Sequence, residues 1–371
     1  MSSLDRRALL TGMAAFSAAA TVAPQASSTP ARRLAPDASP TRIAFGSCAH
    51  QSKDQPIWDA ILAAKPDLMI LLGDNVYLDT RNVDDMKAKY AMLAAKPGFQ
   101  RLRDAVPIVA TWDDHDFGEN DAGADYPMKH ESRKLFCDFF GEPADSIRRS
   151  RPDGIYTDYL FGPPGQRLQI ILPDLRWNRA PLKTIDMGGQ DYEHWAKARH
   201  AAGQSVPGPY ERQPEDEVSQ LGESQWRWLE DRLAQPADLR ILASSLQVVS
   251  DFPGWEAWIN FTHDHQRLIQ AIRAKRAQGL FCISGDTHYA ELSRLDLNVP
   301  YPLWDFTSSG LTEVWPVLPP NARRVGEAYR SQNFGLIEID WPAGSVTITI
   351  RDVTGGQRLE QKLKLADLRV A

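Results

Sequence analysis

An α/β fold is predicted by this sequence from three observations. Short unbroken apolar runs, bounded by turn-forming residues, read as strands buried on both faces. Apolar residues at helical spacing fall between several of those runs, the alternation that builds a sheet with helices packed on it. Near the C-terminus the pattern changes to apolar–polar alternation, the mark of antiparallel strands. The chain has 371 residues, enough to bury a large core without disulfides or metal. Its 42 Lys and Arg against 48 Asp and Glu argue against holding nucleic acid or anionic membrane by bulk charge. Three cysteines, Cys48, Cys137 and Cys282, exclude a disulfide-built fold.

The first residues stand apart from the fold. Arg6 and Arg7 precede a weakly apolar, alanine-rich stretch over residues 8–23, too short to span a bilayer, which takes about 20 mostly apolar residues. Residues 1–31 resemble a twin-arginine export signal, although Asp5 and Leu9 stand where that pattern usually has Ser or Thr and Phe. An ordinary secretory signal is the alternative. The expectation is a periplasmic or secreted protein, passed folded through the twin-arginine export machinery and carrying a cofactor loaded inside the cell. Residues 41–371 show no linker or repeat and are predicted as one domain, monomeric and without a transmembrane segment.

In chain order, Ile43, Ala44 and Phe45 lead into Gly46-Ser47-Cys48. Residues 68–72 lead into Gly73-Asp74-Asn75, and residues 106–110 into Trp112-Asp113-Asp114-His115-Asp116. Residues 168–172 lead into Asp174-Leu175-Arg176, residues 241–243 into Ser244-Ser245, and residues 280–283 into Gly285-Asp286-Thr287-His288. Ile57, Ile61 and Leu62 mark a helix before Pro66; Trp226, Leu229 and Leu233 mark a second; Leu268, Ile269 and Ile272 a third. Ligands of α/β sheets bind beyond the carboxyl ends of the strands, so the six polar clusters predict a single site. Residues 334–341, 345–353 and 358–365, separated by Pro342-Ala343-Gly344 and Gly355-Gly356, read as an antiparallel meander. Residues 178–220 lack periodicity and read as a lid or binding loop.

Cys48, Asp74, Tyr77, Asp114, Asp286 and His288 offer thiolate, phenolate, carboxylate and imidazole donors at these strand ends. Carboxylates packed together repel unless cations neutralise them, so a metal centre is expected. Hard oxygens suit Mg, Mn, Ca or ferric iron, whereas thiolate and imidazole favour Zn or Fe. The mixed set suggests ions of different character, one near Cys48 and Tyr77 and another near Asp114 and Asp286. Such pairs clamp a phosphoryl group and generate hydroxide near neutral pH.

Gly46-Ser47-Cys48, Leu72-Gly73-Asp74-Asn75-Val76-Tyr77, Trp112-Asp113-Asp114-His115-Asp116 and Gly285-Asp286-Thr287-His288 resemble the blocks of PhoD-like alkaline phosphatases, relatives of the calcineurin-like metallophosphoesterases; residues 221–226 fit as well. The resemblance implies a β sandwich flanked by helices (α/β/β/α) and hydrolysis of phosphate mono- or diesters by a metal-bound hydroxide. It implies Asp74 as bridging carboxylate, Cys48, Tyr77 and His288 as ligands of Fe3+, and Asp114 and Asp286 as hard-oxygen ligands suited to Ca2+, with Zn2+, Mn2+ or Mg2+ as alternatives. His115 resembles the group that contacts phosphate or protonates the leaving alcohol. The extra N-terminal β domain and long C-terminal covering helix of some members are not evident here. Two other functions remain open: a phospholipase C-type phosphodiesterase acting on lipid head groups, and a metal- or phosphate-binding protein without turnover.

Arg176 is read either as a bidentate phosphate ligand or as a partner of Asp174 or another carboxylate, with Arg179 as a second candidate. Asn75 is read as orienting Asp74, touching phosphate, or closing a turn. His50, close after Cys48, reads as a surface loop histidine, with support of the site or contact with substrate as the alternative. Trp255, Trp258, Trp304 and Trp315, placed in loops after strands, read as core, with a pocket for an apolar or aromatic alcohol as the alternative. Cys137 and Cys282 read as packing, and Asp264 as a helix cap between His263 and His265.

Overall fold

The structure, a computed structural model, describes residues 32–215, 218–315 and 317–370. The export signal expected at residues 1–31 lies outside them. Twelve strands follow in chain order: β1 (Arg42–Gly46), β2 (Leu68–Leu72), β3 (Ile108–Thr111), β4 (Thr157–Phe161), β5 (Leu168–Leu172), β6 (Leu239–Ala243), β7 (Leu280–Ser284), β8 (Ala290–Leu295), β9 (Leu303–Ser308), β10 (Asn333–Asp340), β11 (Ser345–Asp352) and β12 (Gln357–Lys364). They form two six-stranded sheets, ordered β12-β11-β10-β1-β2-β3 and β4-β5-β6-β7-β9-β8. β1, β2 and β3 run parallel, as do β5, β6, β7 and β9. The C-terminal meander extends the first sheet antiparallel to β1. This is the sandwich that the resemblance implied.

Side-chain alternation explains the unbroken apolar runs. Ile43 and Phe45 of β1, with Leu68, Ile70 and Leu72 of β2, join one core with Leu168, Ile170 and Leu172 of β5 and the apolar residues of β6 and β7. Their neighbours Ala44, Met69 and Leu71 point the other way, into a second core with the helix residues Ile57, Ile61, Leu93, Phe99 and Phe136. Each such side chain contributes about 1.5–3 kcal/mol through burial.

The three expected helices are Ile57–Ala63, Gly222–Ala234 and Thr262–Ala274. Cys137 lies in the helix Lys129–Phe139 and Cys282 in β7; both thiols are buried and free. Three expectations change. Residues 178–220 contain a helix, Tyr192–Ala201, with no buried residue and hence no apolar stripe. Trp304 lies inside β9 rather than in a loop. Asp264 does not cap its own helix: its carboxylate accepts from Ser219 Oγ at 2.8 Å, Gln220 N at 2.7 Å and Trp226 Nε1 at 2.9 Å, tying down the end of the 178–220 segment. Among the described residues no helix is long and apolar enough to cross a membrane.

Candidate active site

The turns after β1, β2 and β7 are tight, and their donor residues carry the strain. Cys48, Asp74, Asp286 and His288 adopt φ of 65°, 51°, 71° and 59°, a left-handed conformation that costs a non-glycine residue about 1–2 kcal/mol. Gly73 has φ of 106°, and a Cβ there would stand 2.5 Å from Asp113 Cβ, so glycine lets the ends of β2 and β3 meet. Asp116, fully buried, fastens the same junction: its carboxylate accepts from the backbone of Asp74 at 3.2 Å, Asn75 at 3.2 Å and Asp113 at 2.6 Å.

These turns bring the six predicted donors to one place. Cys48 Sγ lies 3.4 Å from Asp74 Oδ2, Tyr77 Oη 3.4 Å from the same oxygen, and His288 Nε2 3.2 Å from Tyr77 Oη. Cys48, Asp74 and His288 each offer a ligand atom within 4.8 Å of the others, and so do Asp74, Asp113, Asp114 and Asp286. Asp74 belongs to both sets. Burial, then the charge of Asp114, pushes the Asp74 carboxyl up; burial, then Asp113 and Glu256, does the same to Asp286. Burial and Asp74 raise the Cys48 thiol, and burial and Cys48 raise the Tyr77 phenol. Burial pushes His288 down to about 4, leaving the neutral ring that ligates metal. Asp113 Oδ2 and Asp114 Oδ1 are buried with no hydrogen-bond partner. Buried, mutually repelling acids with bare oxygens are what a cation site requires, so the donor set fits metal.

His115 lines the cavity beside these donors. Its Nδ1 lies 2.7 Å from Asp79 Oδ1, and its ring sits 4.1 Å from that of Tyr77. Burial opposes its charge, but Asp114, Asp74 and Asp79 outweigh it and push its pKa up to about 11.

Two predicted substrate ligands are placed elsewhere. Arg176 is fully buried and does not line the cavity. Its Nε donates to Asp113 Oδ1 at 2.6 Å, one terminal nitrogen donates to Glu256 at 2.8 Å, and the other lies 3.7 Å from Asp114 Oδ1. Buried away from the cavity, the guanidinium pairs with the acids of the centre, Asp113, Asp114 and Glu256, and not with the Asp174 carboxylate. Arg179, also buried, lies 3.5 Å from Glu256. Asn75 Nδ2 donates to Thr111 O and Asp116 Oδ2, which closes the turn and keeps it from the cavity. His50 stacks on Tyr77 at 4.7 Å.

Three acids at the site were missed by sequence reasoning. Asp113 belongs to the second ligand set, and Asp114, Asp121 and Glu256 form a further group within 4.8 Å. Asp121 also accepts a hydrogen bond from Tyr210 of the 178–220 segment. Asp121 and Glu256 sit in loops well past the strand ends, where no run or spacing marks them; Asp113 was visible only as the neighbour of Asp114. Trp258 and Trp304 are core, whereas Trp255 and Trp315 line the cavity.

A family model described as PhoD-like phosphatase matches residues 43–334. Alkaline phosphatase D of Bacillus subtilis (strain 168) is 21% identical over 300 residues, covering 71% of this chain and 49% of that protein, so the chain spans about half the length of this curated relative. Among solved structures, PhoD superimposes with a TM-score of 0.67 at 14% identity, covering 92% of this chain and 72% of that one. Purple acid phosphatase PPD1 from yellow lupin (Lupinus luteus) seeds gives 0.54 at 12% identity, covering 89% and 55%. GAP50, the anchor in the inner membrane complex of Plasmodium, gives 0.51 at 11% identity, covering 88% and 89%. At such identities the structural likeness is one of fold.

Proposed function

Because the chain belongs to the PhoD-like phosphatase family, we propose that it is a metal-dependent phosphoester hydrolase acting on phosphate mono- or diesters. A fold shared with both phosphatases and an anchor protein does not decide this; the side chains do. The observation that carries the reading is the pair of donor sets meeting at Asp74 on the floor of a cavity. Cys48, Tyr77 and His288 would share one ion with Asp74, and Asp114 and Asp286, joined by Asp113, would hold a second beside it. Thiolate, phenolate and imidazole suit Fe3+; the all-carboxylate set suits Ca2+, with Zn2+, Mn2+ or Mg2+ as further occupants. Bound there, the cations supply neutralisation of phosphoryl charge and ionisation of water near neutral pH.

The chain's own residues do the rest. His115 carries its proton into the cavity, with Nδ1 engaged by Asp79 and Nε2 the atom that donates to the departing alcohol. Arg176 acts as a positioning residue, fixing Asp113 and Glu256 at the orientation the centre needs. Asn75 and Asp116 fix the turn that presents Asp74. The working unit is residues 41–371 as a monomer, exported to the periplasm or beyond by the twin-arginine machinery through residues 1–31.

The test is Asp74→Asn, assayed on p-nitrophenyl phosphate and bis(p-nitrophenyl) phosphate with elemental analysis of bound metal. Turnover should fall by about a thousandfold, metal content should fall, and the unfolding midpoint should stay within a few degrees. Full turnover in that variant overturns the mechanism.

A further inference from the structure

Resting on that reading, we propose that the substrates carry a single phosphoryl group esterified to a flat, uncharged ring system, which stacks against Trp315 and Trp255. The cavity, about 290 Å³, is lined by two chemically distinct sets of side chains. One is the acidic floor already described. The other is built from Pro253, Trp255, Tyr289, Trp315 and Pro319. Trp255 and Trp315 meet edge to face, 6.2 Å apart at 72°, and Tyr192 braces Trp255 from behind at 5.0 Å. Trp315 leaves 42% of its surface uncovered, although a large apolar ring at a cavity gains free energy when covered.

The aromatic wall and the metal donors are mechanically one piece. Trp315 N donates to the carbonyl of His288 at 2.9 Å, and Trp255 directly precedes Glu256, which is anchored by Arg176. A phosphoryl group on the acidic floor therefore sets its ester substituent against these rings. The size agrees, since a cavity of about 150 Å³ already admits benzene and this one has room for a ring and a phosphoryl group.

Charge narrows the class further. Among the described residues no Lys or Arg lines the cavity, and Asp121 and Glu256 border it together with the metal carboxylates. A second phosphate, or a carboxylated sugar, would meet acids and aromatic faces, since His115 is already engaged by Asp79 and by the departing alcohol. Polyphosphates and polyanionic polymers are poor fits, and aryl or fused-ring phosphoesters are good ones.

The proposal is tested by calorimetric titration of the metal-loaded protein with two non-hydrolysable monoanalogues, naphthylmethylphosphonate and methylphosphonate. They share the phosphonate and differ in the ring. The naphthyl compound should bind roughly tenfold more tightly or better, the return expected of one good aromatic contact plus burial. Trp315→Ala should bring the ratio of the two dissociation constants close to one, and Trp315→Phe should keep most of it. Trp315 is half-exposed, so its truncation opens no core cavity. A wild-type ratio near one, or a ratio that Trp315→Ala leaves unmoved, overturns the proposal. Failure to hydrolyse any ester would sink the phosphohydrolase reading instead, and the binding ratio would still be read.

Discussion

The two sides of the rim use the same kinds of residue for opposite purposes. After β1 to β3, four of the polar groups gather as one donor cluster: Cys48, Asp74, Tyr77 and Asp114 lie together beneath the cavity, which Asp74 and Asp114 line. After β5 and β6, equivalent positions are turned inward. Asp174 is fully buried and accepts from the backbone of Ile155, Arg176 and Trp177 at 2.9–3.0 Å. Ser245 gives its hydroxyl to Asp113 at 2.7 Å, and Arg176 braces Asp113 and Glu256. The β7 turn, with Asp286 and His288, returns the second sheet to the chemistry. A carboxylate at a strand end is therefore open to a cation where an oxygen stays bare, as in Asp113 and Asp114, and acts as a brace where protein donors fill both oxygens, as in Asp174 and Asp116.

Arg176→Gln is the sharpest way to break that contrast. A brace holding two buried carboxylates leaves them uncompensated when it is removed, so stability should fall by about 3–5 kcal/mol, together with metal retention. Chemical denaturation and elemental analysis read both. A substrate ligand would behave differently: turnover would fall while the denaturation midpoint and metal content held, and that result would move Arg176 to the cavity side of the comparison.

The same contrast explains what was legible in the sequence. Buried parallel strands print their identity as apolar runs, and β1, β2, β5, β6 and β7 fall where the runs do. The donors at their ends were legible because these polar residues follow the apolar runs directly. β4 was not legible: four of its five residues are only partly buried or exposed, so it has no run to show. The helix Tyr192–Ala201 buries nothing and left no stripe. Arg176 could not be assigned, because its role depends on Asp113 and Glu256, 63 and 80 residues away. Glu256 itself sits in a loop whose only signal was two tryptophans, and those two divided between core and cavity.

Two histidines extend the comparison to pH. On the donor side, the carboxylates of Asp114, Asp74 and Asp79 push the His115 pKa up against burial, whereas on the second-sheet side burial lowers that of His265. Burial, aided by Arg323 and Arg212, pushes His265 down to about 4 from its ordinary 6.5. Between those values the unfolded chain binds the proton and the folded one does not, so stability falls as pH drops from about 6.5 to about 4. Two and a half pKa units correspond to about 3 kcal/mol. Denaturant titrations at pH 7.5 and pH 4 should show wild type losing about that much more than His265→Gln; equal losses would mean that His265 is solvated in the fold.

The smallest effect concerns the end of the 178–220 segment. Asp264 is a brace of the second-sheet kind, filled by Ser219 Oγ, the Gln220 amide and Trp226 Nε1. Asp264→Asn keeps the shape but replaces one acceptor oxygen with a donor, which faces donors already in place. About 2 kcal/mol should be lost, with faster amide exchange confined to residues 178–220 and to the start of the helix Gly222–Ala234. Because Tyr192 of this segment supports Trp255 and Tyr210 reaches Asp121, the loosening should also weaken naphthylmethylphosphonate more than methylphosphonate. Exchange that quickens evenly across both sheets would instead make Asp264 a general core residue, with no special hold on the segment that supports the aromatic wall.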